Sequence, residues 1–295
     1  MEINNIARFF TSIEKEVLQC GLCPHRCILA PGKKGKCRVR ANKGGKPDIP
    51  FYGYVTGLAL DPIEKKPLYH FRPGTEILSI CFAGCNLRCP FCQNWRISQT
   101  TDVSGRVYTP AELISAALKT VAPALAYTYS EPLVHIEFLL DCMKEARKSG
   151  VANVIVSNGC LNKEAAEEIL ELCDAANIDL KCFSEESYRE VLGGDLATAS
   201  GFIRMAVEKG VHLELTTLVV PGFNDSIAEL DKCRDFIADL TTVSGQEIPW
   251  HISAYHPDWK WKAPRTEPEF LIKYAKMARE KLAHVYTGNI GRFSW

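Results

Sequence analysis

From Glu76 onward, short apolar runs alternate with longer stretches in which apolar residues recur every three or four positions. The short runs predict seven strands, at Glu76–Cys81, Ala124–Tyr129, Asn153–Ser157, Asn177–Lys181, His212–Val220, Trp250–Tyr255 and His284–Thr287. Between them Pro110–Val121, Leu133–Ser149 and Lys163–Cys173 carry the helical period, the first with proline near its start, where helices tolerate it. A strand then a helix, repeated, is the pattern of parallel β/α units. Seven such units in about 220 residues predict an α/β fold, a TIM-like β/α barrel, complete or partial. An open doubly wound sheet is the competing architecture.

The stretch before Glu76 has another texture. Helical period fades after about Leu18, and Pro31-Gly32, Gly35, Gly44-Gly45 and Pro47 break it into turns around four cysteines. Residues 1–75 are therefore expected to form a small Cys-rich module and residues 76–295 the barrel. Between Lys33 and Lys46 seven Lys or Arg occur with no acidic residue, which suits a solvated basic loop or an anion-binding face.

Over the 295 residues, 35 Lys plus Arg balance 35 Asp plus Glu, so no global field gathers nucleic acid or an anionic membrane, and neither is expected as a partner. With 46% hydrophobic and 24% charged residues, the chain is neither disordered nor fibrous. Met1 to Cys20 mixes Glu2, Arg8, Glu14, Lys15 and Glu16 with isolated apolar positions, so no export signal is expected. No run approaches about 18 apolar residues, so no membrane span is expected either. Thirteen cysteines, an odd number, fit metal-bound thiolates in a reducing cytoplasm better than a disulfide scaffold.

The densest chemistry is Cys85-Asn86-Leu87-Arg88-Cys89-Pro90-Phe91-Cys92, just after the first barrel strand. A four-iron four-sulfur cluster takes one cysteine per iron, so three local thiolates leave one iron open to an outside donor. A molecule chelating that iron stands at inner-sphere distance from an electron source, and S-adenosylmethionine is the cofactor that radical enzymes use in this way. Zinc is the alternative, with Cys81 as fourth ligand, although a cysteine at a strand end is more often a small buried apolar group.

The stretch Gly84–Asn94 resembles the cluster loop of radical S-adenosylmethionine enzymes, in particular the glycyl-radical-enzyme activases related to pyruvate formate-lyase activating enzyme. The likeness continues along the barrel. Thr128-Tyr129-Ser130-Glu131-Pro132 stands where the activases carry glycine-glycine-glutamate, Ser157-Asn158-Gly159 is similar to their Thr-Asn-Gly, and Asp179-Leu180-Lys181 to their Asp-x-Lys. Val220-Pro221-Gly222-Phe223-Asn224-Asp225 and Tyr255-His256 match two further motifs. Cys20–Arg38, Asp61-Pro62-Ile63-Glu64-Lys65-Lys66-Pro67 and the Tyr-Ser-Glu-Pro variant most resemble the radical member of the AmmeMemoRadiSam system. Two departures stand out: Val156 replaces an aspartate that activases often place before Thr-Asn-Gly, and Thr216 replaces an arginine on their fifth strand.

The resemblance implies an oxygen-sensitive oxidoreductase that cleaves S-adenosylmethionine reductively to a 5′-deoxyadenosyl radical, which abstracts hydrogen from a small-molecule or protein substrate. The radical is cofactor-borne, so no protein side chain is assigned as catalytic; flavodoxin or ferredoxin is the expected reductant. Glu131 and Lys181, the latter beside Asp179, would face the cofactor's amine and carboxylate; Ser157 or Asn158 its ribose; Phe91 its adenine; and His256 its sugar side. Each has a plainer role. Glu131 suits a helix cap before Leu133, Asp179 and Lys181 an ion pair, and Asn158-Gly159 an ordinary turn. His251, alternating with apolar neighbours, reads as a core histidine.

Cys20, Cys23, Cys27 and Cys37 are enough to close a second metal site, either zinc or an auxiliary iron–sulfur cluster, with His25 as a minor substitute ligand. Cys142, Cys160, Cys173, Cys182 and Cys233 lack ligand spacing and most are expected to be buried and inert, though Cys160 and Cys182 follow motif segments that would set them at the border of the pocket. The reading from a different class is a non-catalytic zinc or iron–sulfur protein for electron transfer or adaptor work, which would not bind S-adenosylmethionine.

Overall fold

The computed structural model describes residues 7–120 and 123–291. Residues 1–6, part of the stretch read for an export signal, and Val121, the expected end of the first barrel helix, lie outside the described residues. All seven expected strands form within two residues of their expected bounds, and an eighth precedes them. In chain order they are β1 (Gly57–Pro62), β2 (Glu76–Cys81), β3 (Ala124–Thr128), β4 (Ala152–Ser157), β5 (Ala175–Asp179), β6 (His212–Val219), β7 (Trp250–Ala254) and β8 (Val285–Gly288).

These eight make one sheet ordered β8-β7-β6-β5-β4-β3-β2-β1. Neighbours from β2 to β8 run parallel, and β1 runs antiparallel to β2, with Gly57 opposite Cys81 and Pro62 opposite Glu76. A doubly wound sheet reverses its strand order at a switch point. Here the order never reverses, so right-handed crossovers return every helix to one face and the sheet coils as a partial TIM-like barrel. The competing open architecture is thereby set aside. The expected boundary between residues 75 and 76 falls inside the antiparallel β1–β2 pair.

The helices are α1 (Pro110–Ala117), α2 (Ile136–Lys148), α3 (Lys163–Leu170), α4 (Leu196–Glu208), α5 (Ile227–Ser244) and α6 (Pro268–Ala278). Thr109 and Glu112 close a capping box at the start of α1. α2 starts three residues later than expected because Pro132 opens a 3-10 turn that runs to His135. α3 stops at Leu170 because Asp174 must already serve β4, accepting from Asn153 N at 2.7 Å. Strand period shows clearly on β7. Trp250 is buried edge-on against Tyr274 of α6, whereas His251 and Ser253 line cavities on the other side.

The segment after β1 passes beneath the barrel. Glu214 on β6 is fully buried and accepts from Tyr69 N at 3.0 Å and His70 N at 2.8 Å, while His251 Nε2 lies 2.7 Å and His212 Nε2 3.1 Å from its oxygens. His251 is thus the hydrogen-bonded core histidine expected. In front of the barrel, Phe10–Glu14, Val17–Cys20 and Ile28–Leu29 form a three-stranded antiparallel sheet. Ala41–Lys43 and Lys46–Asp48 form a hairpin turning through Gly44 and Gly45, both at positive φ as a two-residue turn demands. Arg40 anchors this module to α2 by a buried bidentate pair with Glu137 at 2.8 and 2.9 Å.

Burial alone would raise the Glu214 carboxyl, but its two histidines and two backbone N–H groups bring it down to about 2. A carboxylate depressed by folding contributes stability above its unfolded value of about 4.3 and loses it as the pH falls toward the folded value. Denaturant titrations should show Glu214→Gln less stable than the parent at pH 7, by about 3 kcal/mol as for a broken buried pair, with the gap narrowing toward pH 3.

Candidate functional site

Between Cys81 and the short helix Trp95–Ser98 the chain has no regular ladder, and its backbone groups are satisfied one at a time. Phe82 O accepts from Ser130 Oγ at 2.9 Å, Ala83 O lies 2.8 Å from His135 Nε2, and Gly84 O accepts from Glu131 N at 3.3 Å. Asn86 O lies 2.6 Å from His25 Nε2, and Pro90 O accepts from Lys260 N and Trp261 N, both at 3.0 Å. So braced, the loop turns the sulfurs of Cys85, Cys89 and Cys92 into the wall of a cavity of about 290 Å³ beyond the carboxyl ends of β2 to β7.

Phe91, Glu131, Asn158, Asp179 and Lys181 share that wall. Ser157 stands behind it, its hydroxyl donating to Glu131 Oε1 at 2.7 Å, while Asn158 N donates to Oε2 at 2.9 Å. Leu133 N also donates to Glu131 at 3.1 Å, so this carboxylate is both a helix cap and a cavity group. Burial raises its proton affinity to about 7 despite those three donors. Asn158 spans the site, its Nδ2 lying 2.9 Å from Asn86 Oδ1 and 3.7 Å from Cys85 Sγ. Lys181 Nζ sits 2.8 Å from Asp179 Oδ2. Burial would lower this ammonium, but Asp179 and the Cys89 and Cys92 thiols outweigh it and hold it protonated.

Phe91 packs on Phe223 with ring centroids 5.1 Å apart. In the same turn Asn224 Nδ2 donates to Lys181 O at 2.7 Å and Leu218 O at 2.9 Å, so the Val-Pro-Gly motif fixes the strand end that carries Lys181. Like Ser157, His256 stays off the wall. Its Nε2 lies 3.1 Å from Asn289 O, and it is Asn289 that lines the cavity. Cys81 is half-buried against Gly57 and also off the wall, so a fourth ligand from it is not supported. Cys160 and Cys182 are buried without reaching the cavity, contrary to expectation. Val156 and Thr216 both line it, uncharged.

Residues 79–233 match the family model of the radical SAM superfamily. The chain belongs to that superfamily. It is 38% identical over 288 residues to an uncharacterized protein of Methanocaldococcus jannaschii, spanning 96% of this chain and 85% of that one. It is 24% identical over 201 residues to pyruvate formate-lyase 1-activating enzyme of Escherichia coli strain K12, spanning 65% and 79%. Among solved structures, Streptococcus suis SuiB bound to S-adenosylmethionine aligns with TM-score 0.56 at 14% identity, covering 71% of this chain and 51% of SuiB. A radical SAM methyltransferase from Sphaerobacter thermophilus aligns at 0.54 and 14%, covering 74% and 67%. These structural likenesses are of fold.

Radical SAM proteins are enzymes, and membership implies a four-iron four-sulfur cluster and S-adenosylmethionine. The donor set fits both. The three loop cysteines share the wall of one cavity, where a polynuclear group would meet all three. Burial pushes the Cys89 thiol up to about 12 and the Cys85 thiol well above its ordinary value, so a nearby positive charge such as clustered iron would favour the thiolates. No helix among the described residues is long and apolar enough to cross a membrane.

The use of the Asp61–Pro67 motif shows only in the fold. Asp61 accepts from Lys65 Nζ at 2.8 Å, Lys66 Nζ at 2.7 Å, Ser79 Oγ at 2.8 Å and Tyr129 Oη at 2.9 Å, which ties β1 to the strand end carrying Glu131. Burial would raise the Asp61 carboxyl, but these donors hold it well below the usual carboxylate range. Asp61→Ala leaves the buried Lys66 ammonium unpaired and should destabilise the fold by about 3–5 kcal/mol in chemical denaturation. Asp61→Asn, which keeps part of the hydrogen bonding, should cost less.

Proposed function

We propose that the chain is an activating-enzyme-like radical SAM oxidoreductase whose cluster is held by Cys85, Cys89 and Cys92. The observation that carries this reading is the convergence of three thiols, the Glu131 and Asp179 carboxylates and the Lys181 ammonium on a single cavity at the carboxyl ends of the barrel strands. Cys85, Cys89 and Cys92 would hold the cluster, which would supply the one-electron chemistry for reductive cleavage of S-adenosylmethionine and hydrogen abstraction from the substrate. The likeness to pyruvate formate-lyase 1-activating enzyme supports a protein or peptide substrate, with an external one-electron donor such as flavodoxin or ferredoxin.

The chain's residues do the binding. Glu131 presents a carboxylate fixed by Ser157, Asn158 and Leu133 to the cofactor's ammonium, and Lys181 presents its ammonium to the cofactor's carboxylate. Asn158 serves the ribose, with Ser157 behind it holding Glu131 in place; Phe91 serves the adenine, and His256 orders the rim through Asn289. Cavity walls of Leu87, Leu218 and Val156 limit water around the reacting carbon. Thirteen cysteines, all free, support a reducing cytoplasmic setting.

Cys89→Ala, reconstituted anaerobically with iron and sulfide and reduced by dithionite, should form no 5′-deoxyadenosine, whereas the parent chain should form it. Cleavage at the parent's rate by Cys89→Ala would overturn the ligand assignment. Glu131 faces Asp179 and the Cys85 thiol as well as its three donors, and it must be ionised to bind an ammonium. Calorimetric affinity for S-adenosylmethionine should therefore fall as the pH drops through about 7. Glu131→Gln should bind about tenfold more weakly at pH 8, as for one lost charge-assisted hydrogen bond, and without that pH dependence.

A further inference from the structure

Outside the radical site, Cys20, Cys23, Cys27 and Cys37 are the one group of thiols that the fold gathers within a single small module. Cys20, Cys23 and Cys37 are buried and Cys27 is half-buried, and none is disulfide-bonded. A Cβ built on Gly35 would stand 3.7 Å from both the Cys27 and the Cys37 sulfurs, so these two flank one turn. Cys20, Cys27 and Cys37 are in turn the thiols that surround Cys23.

Donor groups stand close to these sulfurs. Lys36 N donates to Cys27 Sγ at 3.5 Å, the His25 backbone N–H faces Cys23, and those of Val39 and Arg40 face Cys37. The Arg40 guanidinium lies against Cys20. Its terminal nitrogens are committed to Glu137 and to Arg8 O, and its Nε, deep in the protein, has no hydrogen-bond partner. The backbone N–H groups beside Cys23, Cys27 and Cys37 offer hydrogen bonds that a metal-bound thiolate accepts better than a neutral thiol does. Four thiolates on a divalent centre leave two net negative charges, and the run from Lys33 to Lys46, which contains Cys37, carries seven Lys or Arg and no acidic residue. His25 is removed from the donor set, because Nε2 lies on Asn86 O at 2.6 Å and Nδ1 lies 3.3 Å from Lys36 Nζ.

We propose that Cys20, Cys23, Cys27 and Cys37 bind a thiophilic metal centre, closed and separate from the radical cluster, that braces the loop carrying Cys85. The bracing contacts are short. The carbonyl of Cys37 occupies the place of a side chain at Gly84, where a Cβ would meet it at 2.4 Å, and His25, between Cys23 and Cys27, holds Asn86 O. Zinc requires the four sulfurs to rotate onto one ion, whereas an iron–sulfur cube reaches them with its own bulk.

Replacing Cys85, Cys89 and Cys92 together by Ala removes the radical cluster and leaves the module intact. Elemental analysis of that full-length variant, purified without oxygen and reconstituted with iron and sulfide, should find about one zinc, or about four iron and four sulfide, per chain. Cys23→Ser with Cys37→Ser in the same background should abolish that metal. A chain without stoichiometric metal, or with metal that survives both serines, would overturn the proposal. Should the serine variant not fold, the triad variant alone decides by mass-spectrometric alkylation. Cys20, Cys23, Cys27 and Cys37 should react about tenfold faster once the metal is chelated, and an unchanged rate would overturn the assignment.

Discussion

The loop from Phe82 to Asn94 must hold three sulfurs toward one cavity without any ladder of its own, so each carbonyl that faces inward needs a partner from elsewhere. Those partners come from far apart in the sequence: His25 from the Cys-rich module, Ser130, Glu131 and His135 from the end of β3 and the turn after it, Lys260 and Trp261 from the segment after β7. A loop tied at so many points keeps its side chains within the narrow tolerance that ligand positioning demands. The barrel supplies the platform, and the ties supply the precision.

One tie is made with a strained backbone. Tyr129 sits at φ 54, a region that costs a residue with a Cβ about 1–2 kcal/mol, and Ser130 at φ 158 stands at its edge. Activating enzymes place two glycines here, for which that geometry is free of strain. In this chain the side chains offset it. The Tyr129 hydroxyl reaches Asp61, its ring lies 4.0 Å beneath Lys66 Nζ, and Ser130 Oγ holds Phe82 O. The Asp61–Lys66 motif and the Tyr-Ser-Glu-Pro variant therefore belong together physically: the first supplies the partners that let the second replace glycine.

The barrel was legible because burial on both faces of its strands leaves continuous apolar runs, and the cavity residues because they sit where those runs end. His251 as a core histidine and Glu131 as a helix cap also follow from local pattern, whereas the partner Glu214 and the joint use of Glu131 as cap and cavity group show only in the fold. What stayed hidden is long-range. β1 is six residues with one buried position, Asp61, and so carries no apolar signal; its place in the sheet is set by pairing with β2. Arg40 and Glu137 lie 97 positions apart, and neither shows in sequence that the other will neutralise it in the interior. His256 and Asn289 illustrate the same limit, since the motif named the histidine while the backbone brought a residue 33 positions away to the wall.

The two cysteine groups also differ in what they can do chemically. Three ligands leave one metal position open, and chemistry on an outside molecule needs that opening; four ligands close the sphere and exclude it. The environments follow the same division. The sulfurs of Cys85, Cys89 and Cys92 line a cavity with a carboxylate and an ammonium opposite, whereas the sulfurs of the Cys-rich module face backbone N–H groups and a buried arginine. A closed site can influence an open one only through electrons or through contact. The contact exists in this fold, since Cys37 O packs where a side chain at Gly84 would be, one residue before Cys85, and Gly84 can hold that place only because it lacks a Cβ.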